Sequence, residues 1–158
     1  MSMSATIALV QITEVTILSL IDALHDATDE NRGRAASALG HIGGLAQNII
    51  PALIEGLADI DEAVAQHATC ALSRIGTPAI PALIKGLKDE NQEVRFYAAI
   101  ALADFAEPAV EAVPALIDAL CDETCGVRWV AIEALQAIGN QAALDAIELY
   151  KKHESDKR

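Results

Sequence analysis

Aromatic side chains are nearly absent from this sequence: 3% of 158 residues, as two Phe, two Tyr and one Trp. Basic residues are also few, 11 Lys and Arg against 23 Asp and Glu, giving a net charge of −12. There are three cysteines, Cys70, Cys121 and Cys125. Each shortage excludes something. An acidic chain lacks the basic patch that marks a nucleic-acid binder, so no nucleic-acid partner is expected. Three cysteines cannot build a disulfide framework, which points to a reducing cytoplasm. No run of about 18 apolar residues escapes charge, so no membrane insertion is expected. Met1–Ser4 carries no basic n-region and no cleavage pattern follows, so no signal peptide is expected. Disorder fails for the opposite reason: 53% of the chain is hydrophobic. That mass is 31 Ala, 17 Leu and 17 Ile, residues suited to closely packed helices.

What is abundant also repeats. Pro-Ala-Leu-Ile occurs at 51–54, 81–84 and 114–117, followed in register by Leu57, Leu87 and Leu120. A degenerate copy, Leu18-Ser19-Leu20-Ile21, leads to Leu24, and the starts at 18, 51, 81 and 114 are spaced 33, 30 and 33 residues apart. Ala38-Leu39, Ala71-Leu72, Ala101-Leu102 and Ala134-Leu135 align behind them, followed by Ile42, Ile75, Phe105 and Ile138. Leu83, Ile84 and Leu87 fall on one helical face, as do Val94, Ala98, Ala101, Leu102 and Phe105. The prolines suit a first helical turn. Gly43, Gly76 and Gly139 supply C-terminal stops, with Ala106 in the third unit. A two-helix unit of about 30 residues cannot bury its own stripe, so its neighbours must. The pattern predicts an all-α solenoid.

The motif Asp-x5-Arg-x2-Ala-x2-Ala-Leu-x2-Ile-Gly, preceded by Pro-Ala-Leu-Ile-x-x-Leu, resembles HEAT-like repeats of the short phycobilisome-lyase type. The resemblance covers residues 18–139 and a half unit at Leu144–Tyr150. It implies a right-handed α-solenoid of about four two-helix HEAT-like repeats (18–50, 51–80, 81–113 and 114–139) with terminal caps. Residues 1–17 form an N-terminal cap or arm in this reading, 140–152 a capping helix and 153–158 a polar tail. The N-terminal segment, with Ile7, Leu9, Val10, Ile12, Val15 and Ile17, is open between capping helix and dimer contact, hence monomer or homodimer.

Asp26, Asp59, Asp89 and Asp122 recur two residues after the last leucine of each first helix, with Arg32, Arg95 and Arg128 six residues later and Ala65 breaking the series. The resemblance implies a structural ladder in which these aspartates accept backbone or arginine hydrogen bonds at the inter-helix turns. Seven further turn acids join them, and the body up to Tyr150 holds 21 acids and 7 bases. That edge is either an ordinary solvated face or a field that steers a basic partner.

In such a stack the second helices line the concave surface. Reading their off-stripe positions in register gives Gly33, Gln66, Phe96 and Trp129, then Arg34, His67, Tyr97 and Val130. One turn on come Ser37, Cys70, Ile100 and Glu133, then His41, Arg74, Asp104 and Ala137. Phe96, Tyr97 and Trp129, three of the five rings, fall together with Gln66, Ile100 and Val130 inside a rim of Glu133, Asp104 and Arg74. This composition is that of a binding hot spot for another protein, unless the rings pack inward. His41, His67 and Cys70 are soft ligands without a fourth, and Cys121 and Cys125 flank a turn. No phosphate loop, His-Glu-x-x-His helix or Cys-x-x-Cys pair is present, so neither metal nor cofactor is expected. The expected function is a non-catalytic protein-interaction scaffold or adaptor. The alternative drawn from the resemblance is a bilin-lyase-like or phycobilisome-associated accessory subunit that handles a tetrapyrrole or its carrier protein.

Overall fold

The computed structural model describes residues 15–25, 28–42 and 46–156. Asp26, Gly43 and residues 1–14, with the expectations attached to them, lie outside the described residues. The helices are α1 (15–23), α2 (Asp29–Ile42), α3 (Ala46–Gly56), α4 (Glu62–Ile75), α5 (Ile80–Gly86), α6 (Gln92–Phe105), α7 (Val113–Ala119), α8 (Cys125–Ile138) and α9 (Gln141–Asp156). Odd-numbered helices are the first of each unit and even-numbered ones the second. Short 3-10 turns, Thr77–Ala79 and Glu107–Ala112, lead into α5 and α7. The described residues contain no strand, and the architecture is an all-α solenoid.

In the described residues, the turns joining α3 to α4, α5 to α6 and α7 to α8 are each built by an aspartate. Asp59, Asp89 and Asp122 accept the backbone N–H two residues on, from Asp61, Asn91 and Thr124, at 2.9, 2.9 and 2.8 Å. This is a side-chain-closed turn. Asp61 and Asn91 then cap the following helix by accepting from Ala63 and Glu93. The repeated leucines fill one continuous core: Leu39, Leu72, Leu102 and Leu135 of the second helices, with Leu53, Leu83 and Leu116 of the first, are fully buried.

Four sequence expectations change. Pro51 is not in a first turn, because α3 begins five residues earlier and holds it in the interior, where it forgoes one intrahelical bond. Residues 15–17, assigned above to the N-terminal segment, belong to α1. α9 runs to Asp156, into the expected tail, since Lys and Glu propagate a helix well. Its inward face is Ala143 and Ile147, with Ala146 and Tyr150 partly buried, whereas Leu144 is 42% exposed. Among the described residues no helix is long and apolar enough to cross a membrane.

The helix stops show why glycine recurs there. Gly76 and Gly139 have φ of 89° and 64°, and Ala106 adopts the same left-handed side at φ 52°. A non-glycine residue pays about 1–3 kcal/mol for such a backbone, against about 0.5–1 kcal/mol of extra chain entropy that glycine loses on folding. Ala106→Gly is therefore expected to stabilise by about 1 kcal/mol, raising the thermal midpoint by about 2–4 °C. A lower midpoint in a circular-dichroism melt contradicts this assignment.

Candidate partner-binding face

The second helices pack on one another more closely than the first helices do. The ladder holds the units together at the turn edge. Arg32 donates to both oxygens of Asp59 at 2.6 and 2.9 Å. Arg95 reaches both oxygens of Asp122 at 2.8 and 3.2 Å, Glu123 at 3.2 Å, and the backbone carbonyls of Asp89 and Glu90. Arg128 donates to the carbonyls of Asp122 and Glu123. Burial alone would raise the Asp122 carboxyl, but hydrogen bonds from Arg95 and the Thr124 backbone outweigh it and hold the group below the usual carboxylate value. Asp59 is lowered in the same way, burial opposing and Arg32 prevailing. Arg95 is raised, chiefly by its hydrogen bond to Asp122. Asp89 is left out: its counterpart in the preceding unit is Ala65, and its only hydrogen-bond donor among the described residues is the Asn91 N–H.

The proposed face is brought together only in part. Trp129 on α8 is 60% exposed, and Gln66, Arg74, Asp104 and Glu133 are exposed. Phe96 and Ile100 are half-buried. Tyr97 and Val130 are not surface residues: they are 6% and 2% exposed. Single-stripe periodicity placed them outside because it allows a helix one buried face. α6 meets its own first helix, α5, and the second helices α4 and α8, and α8 meets α7, α6 and α9. The buried arc of α6 accordingly takes in Val94, Arg95, Tyr97, Ala98, Ala99, Ala101 and Leu102.

Tyr97 meets Phe96 edge to face, with centroids 5.3 Å apart at 79°. Burial, then the nearby Glu62 and Glu93 charges, push the Tyr97 hydroxyl towards its neutral form. On its other side Phe96 lies over Gly126, where an added Cβ would come to 3.5 Å from the ring. Between α4 and α6 a cleft of about 420 Å³ is lined by Glu62, Gln66, Thr69, Cys70, Phe96, Tyr97, Ile100 and Asp104. Sequence reasoning missed Glu62 and Thr69; Glu62 was reachable by extending the Gln66 column one turn towards the N-terminus. A neighbouring cleft between α2 and α4 carries mixed charge, with Arg34 paired to Glu30 at 2.5 Å. His41 and His67 there turn Nδ1 to the carbonyls of Ser37 and Ala63 on their own helices. Among the described residues no group of three or more His, Cys, Asp or Glu side chains is placed to hold a metal.

These features define an α-solenoid of two-helix repeats whose second helices carry an exposed Trp129 and half-buried Phe96 and Ile100. The HEAT-repeat pattern matches residues 17–84 and 80–158, and the chain belongs to the HEAT repeat family. No curated protein matches it in sequence. Among solved structures, an engineered protein is 26% identical with a TM-score of 0.52, over 86% of this chain and 68% of that one. The complex of CpcE and CpcF, phycocyanin lyase from Nostoc sp. PCC7120, is 20% identical with a TM-score of 0.58, over 87% and 98%. A chain solved for TOG–tubulin binding specificity is 14% identical with a TM-score of 0.69, over 98% and 71%. The last two likenesses show the fold.

Proposed function

We propose that this protein is a binding scaffold that holds a partner polypeptide against its second helices, using Trp129, Phe96, Ile100 and Gln66 within a rim of Arg74, Asp104 and Glu133. The observation that carries the reading is Trp129, a 60%-exposed indole in register with half-buried Phe96 one unit away. A large exposed ring in a chain with five aromatic residues has no role in its own core. Support by analogy of fold comes from the lyase neighbour, a two-protein complex, and from the tubulin-binding one. All three cysteines are free and exposed, which suits the reducing cytoplasm.

Affinity capture from native lysate tests the reading. Trp129→Ala is expected to weaken partner retention by about thirtyfold, the scale of a hot-spot aromatic, with helicity and melting unchanged. Full retention by the variant, or a cooperative loss of fold, refutes it. The bilin alternative rests on the resemblance; a visible band appearing on titration with an open-chain tetrapyrrole supports it and a flat titration removes it.

A further inference from the structure

We infer that the cleft between α4 and α6 is the seat of the partner segment, and that it takes an extended peptide with one apolar side chain between two cations. This rests on the scaffold reading above and sharpens it to one junction and one ligand chemistry.

Three observations meet at this junction. It is where the ladder lacks a rung, Ala65 standing in place of the arginine found at 32, 95 and 128. The connection into α5 is also the shorter one, a three-residue 3-10 turn against six residues before α7. α4 and α6 accordingly touch each other less closely than α2 and α4 or α6 and α8 do. Among the described second helices, α4 and α6 are thus the neighbouring pair in least contact, although the α2–α4 junction also carries a cleft, of about 560 Å³ and mixed charge.

The second observation is the lining. Phe96, Tyr97 and Ile100 make an apolar middle, in a volume of about 420 Å³ that accepts one large side chain. The third is the charge. The lining carries two carboxylates, Glu62 and Asp104, and no basic side chain. Glu62 accepts from Gln66 and Asp104 from Ser73. A carboxylate has about four acceptor sites, so both keep capacity for an incoming cation. Arg74 lies beyond the lining at the Asp104 end.

The two acids stand at opposite ends. Glu62 opens α4, whereas Asp104 is near the end of α6, in register with Arg74. At 1.5 Å rise per residue the separation along the helices is about 18 Å. An extended chain spans that in about five residues at roughly 3.3 Å each. The ligand chemistry follows: Lys or Arg, an apolar residue within the next few positions, then Lys or Arg about five residues from the first.

Selection of a random dodecamer peptide library on the immobilised full chain tests this. The expected enrichment is an apolar residue between two basic residues four to six apart. The consensus peptide, followed by fluorescence anisotropy, should bind about tenfold more weakly to Glu62→Gln/Asp104→Asn. Glu107→Gln/Glu111→Gln, which removes the same charge from exposed sites outside the cleft, should leave affinity unchanged. Equal loss in both double variants, or none in either, overturns the inference by showing unspecific attraction to an acidic body. Enriched peptides that lose affinity with Trp129→Ala but not with Glu62→Gln/Asp104→Asn overturn it while leaving the scaffold reading intact. No enrichment at all overturns the inference and leaves the scaffold reading to the Trp129→Ala capture above.

Discussion

Replacing Arg95 with alanine is expected to lower the thermal midpoint by about 6–20 °C. Arg95 is 8% exposed, and its partner Asp122 is almost as deeply placed. The guanidinium ties its own turn, through the carbonyls of Asp89 and Glu90, to the next unit, through Asp122 and Glu123. Removing one side of a buried pair strands the other, which costs about 3–5 kcal/mol, and each kcal/mol is worth about 2–4 °C in a chain of this size. Arg34→Ala supplies the contrast, since its bond to Glu30 joins two side chains that are 74% and 71% exposed. Such surface pairs contribute about 0–1 kcal/mol, so that variant should melt close to wild type. Equal effects from the two substitutions contradict the ladder.

The same pair dictates a pH signature. Asp122 is held below its ordinary value in the folded chain, so the native state binds its proton less readily than the unfolded chain. Its contribution is complete above the unfolded aspartate value of about 4 and is lost as pH falls through the lower folded value. Wild-type melting temperature should therefore fall in that acid window. In Arg95→Ala the fall should be shallower but not abolished, because Asp59 with Arg32 titrates in the same direction. A steeper acid fall in the variant contradicts the sign.

How much was legible in the sequence depended on whether a feature repeats. The leucine columns, the aspartate turns and the arginines recur at fixed offsets: Leu39, Leu72, Leu102 and Leu135 share one core, and Asp59, Asp89 and Asp122 each close their turn, while only Arg32 and Arg95 reach a carboxylate of the next unit. The candidate face was legible by column, and Phe96, Ile100 and Asp104 meet in one cleft with Gln66 and Cys70. Tyr97 and Val130 were misplaced because burial in a stack is set by three neighbouring helices, whereas a periodicity argument sees one. Ala65 was visible as a gap in the arginine series. That the gap coincides with a short connection and an open cleft is a tertiary fact, since it depends on how closely α4 approaches α6.

Gly40 is the clearest case of information the pattern held without explaining. It sits in the last turn of α2, where glycine is up to about 1 kcal/mol worse than alanine on propensity alone. An isolated glycine in a helical pattern signals a packing reason. Here an added Cβ would lie 2.7 Å from Ala71 Cα and 2.8 Å from Ala71 Cβ on α4. The nearer obstacle is backbone, so two whole helices must separate to admit one methyl group. Overpacking of this kind costs about 1–3 kcal/mol. Gly40→Ala is therefore expected to destabilise by about 2 kcal/mol despite alanine's better propensity. Gly40→Leu should cost more again. Gly33→Ala, in the same helix, has the opposite expectation. Its Cβ would meet only the His67 ring, at 3.4 Å, and a side chain on an exposed histidine can move aside. Propensity then prevails and the variant gains about 0.5–1 kcal/mol. Urea melts of the two alanine variants decide the matter: shifts of the midpoint in opposite directions are required, and shifts of the same sign contradict the close α2–α4 contact.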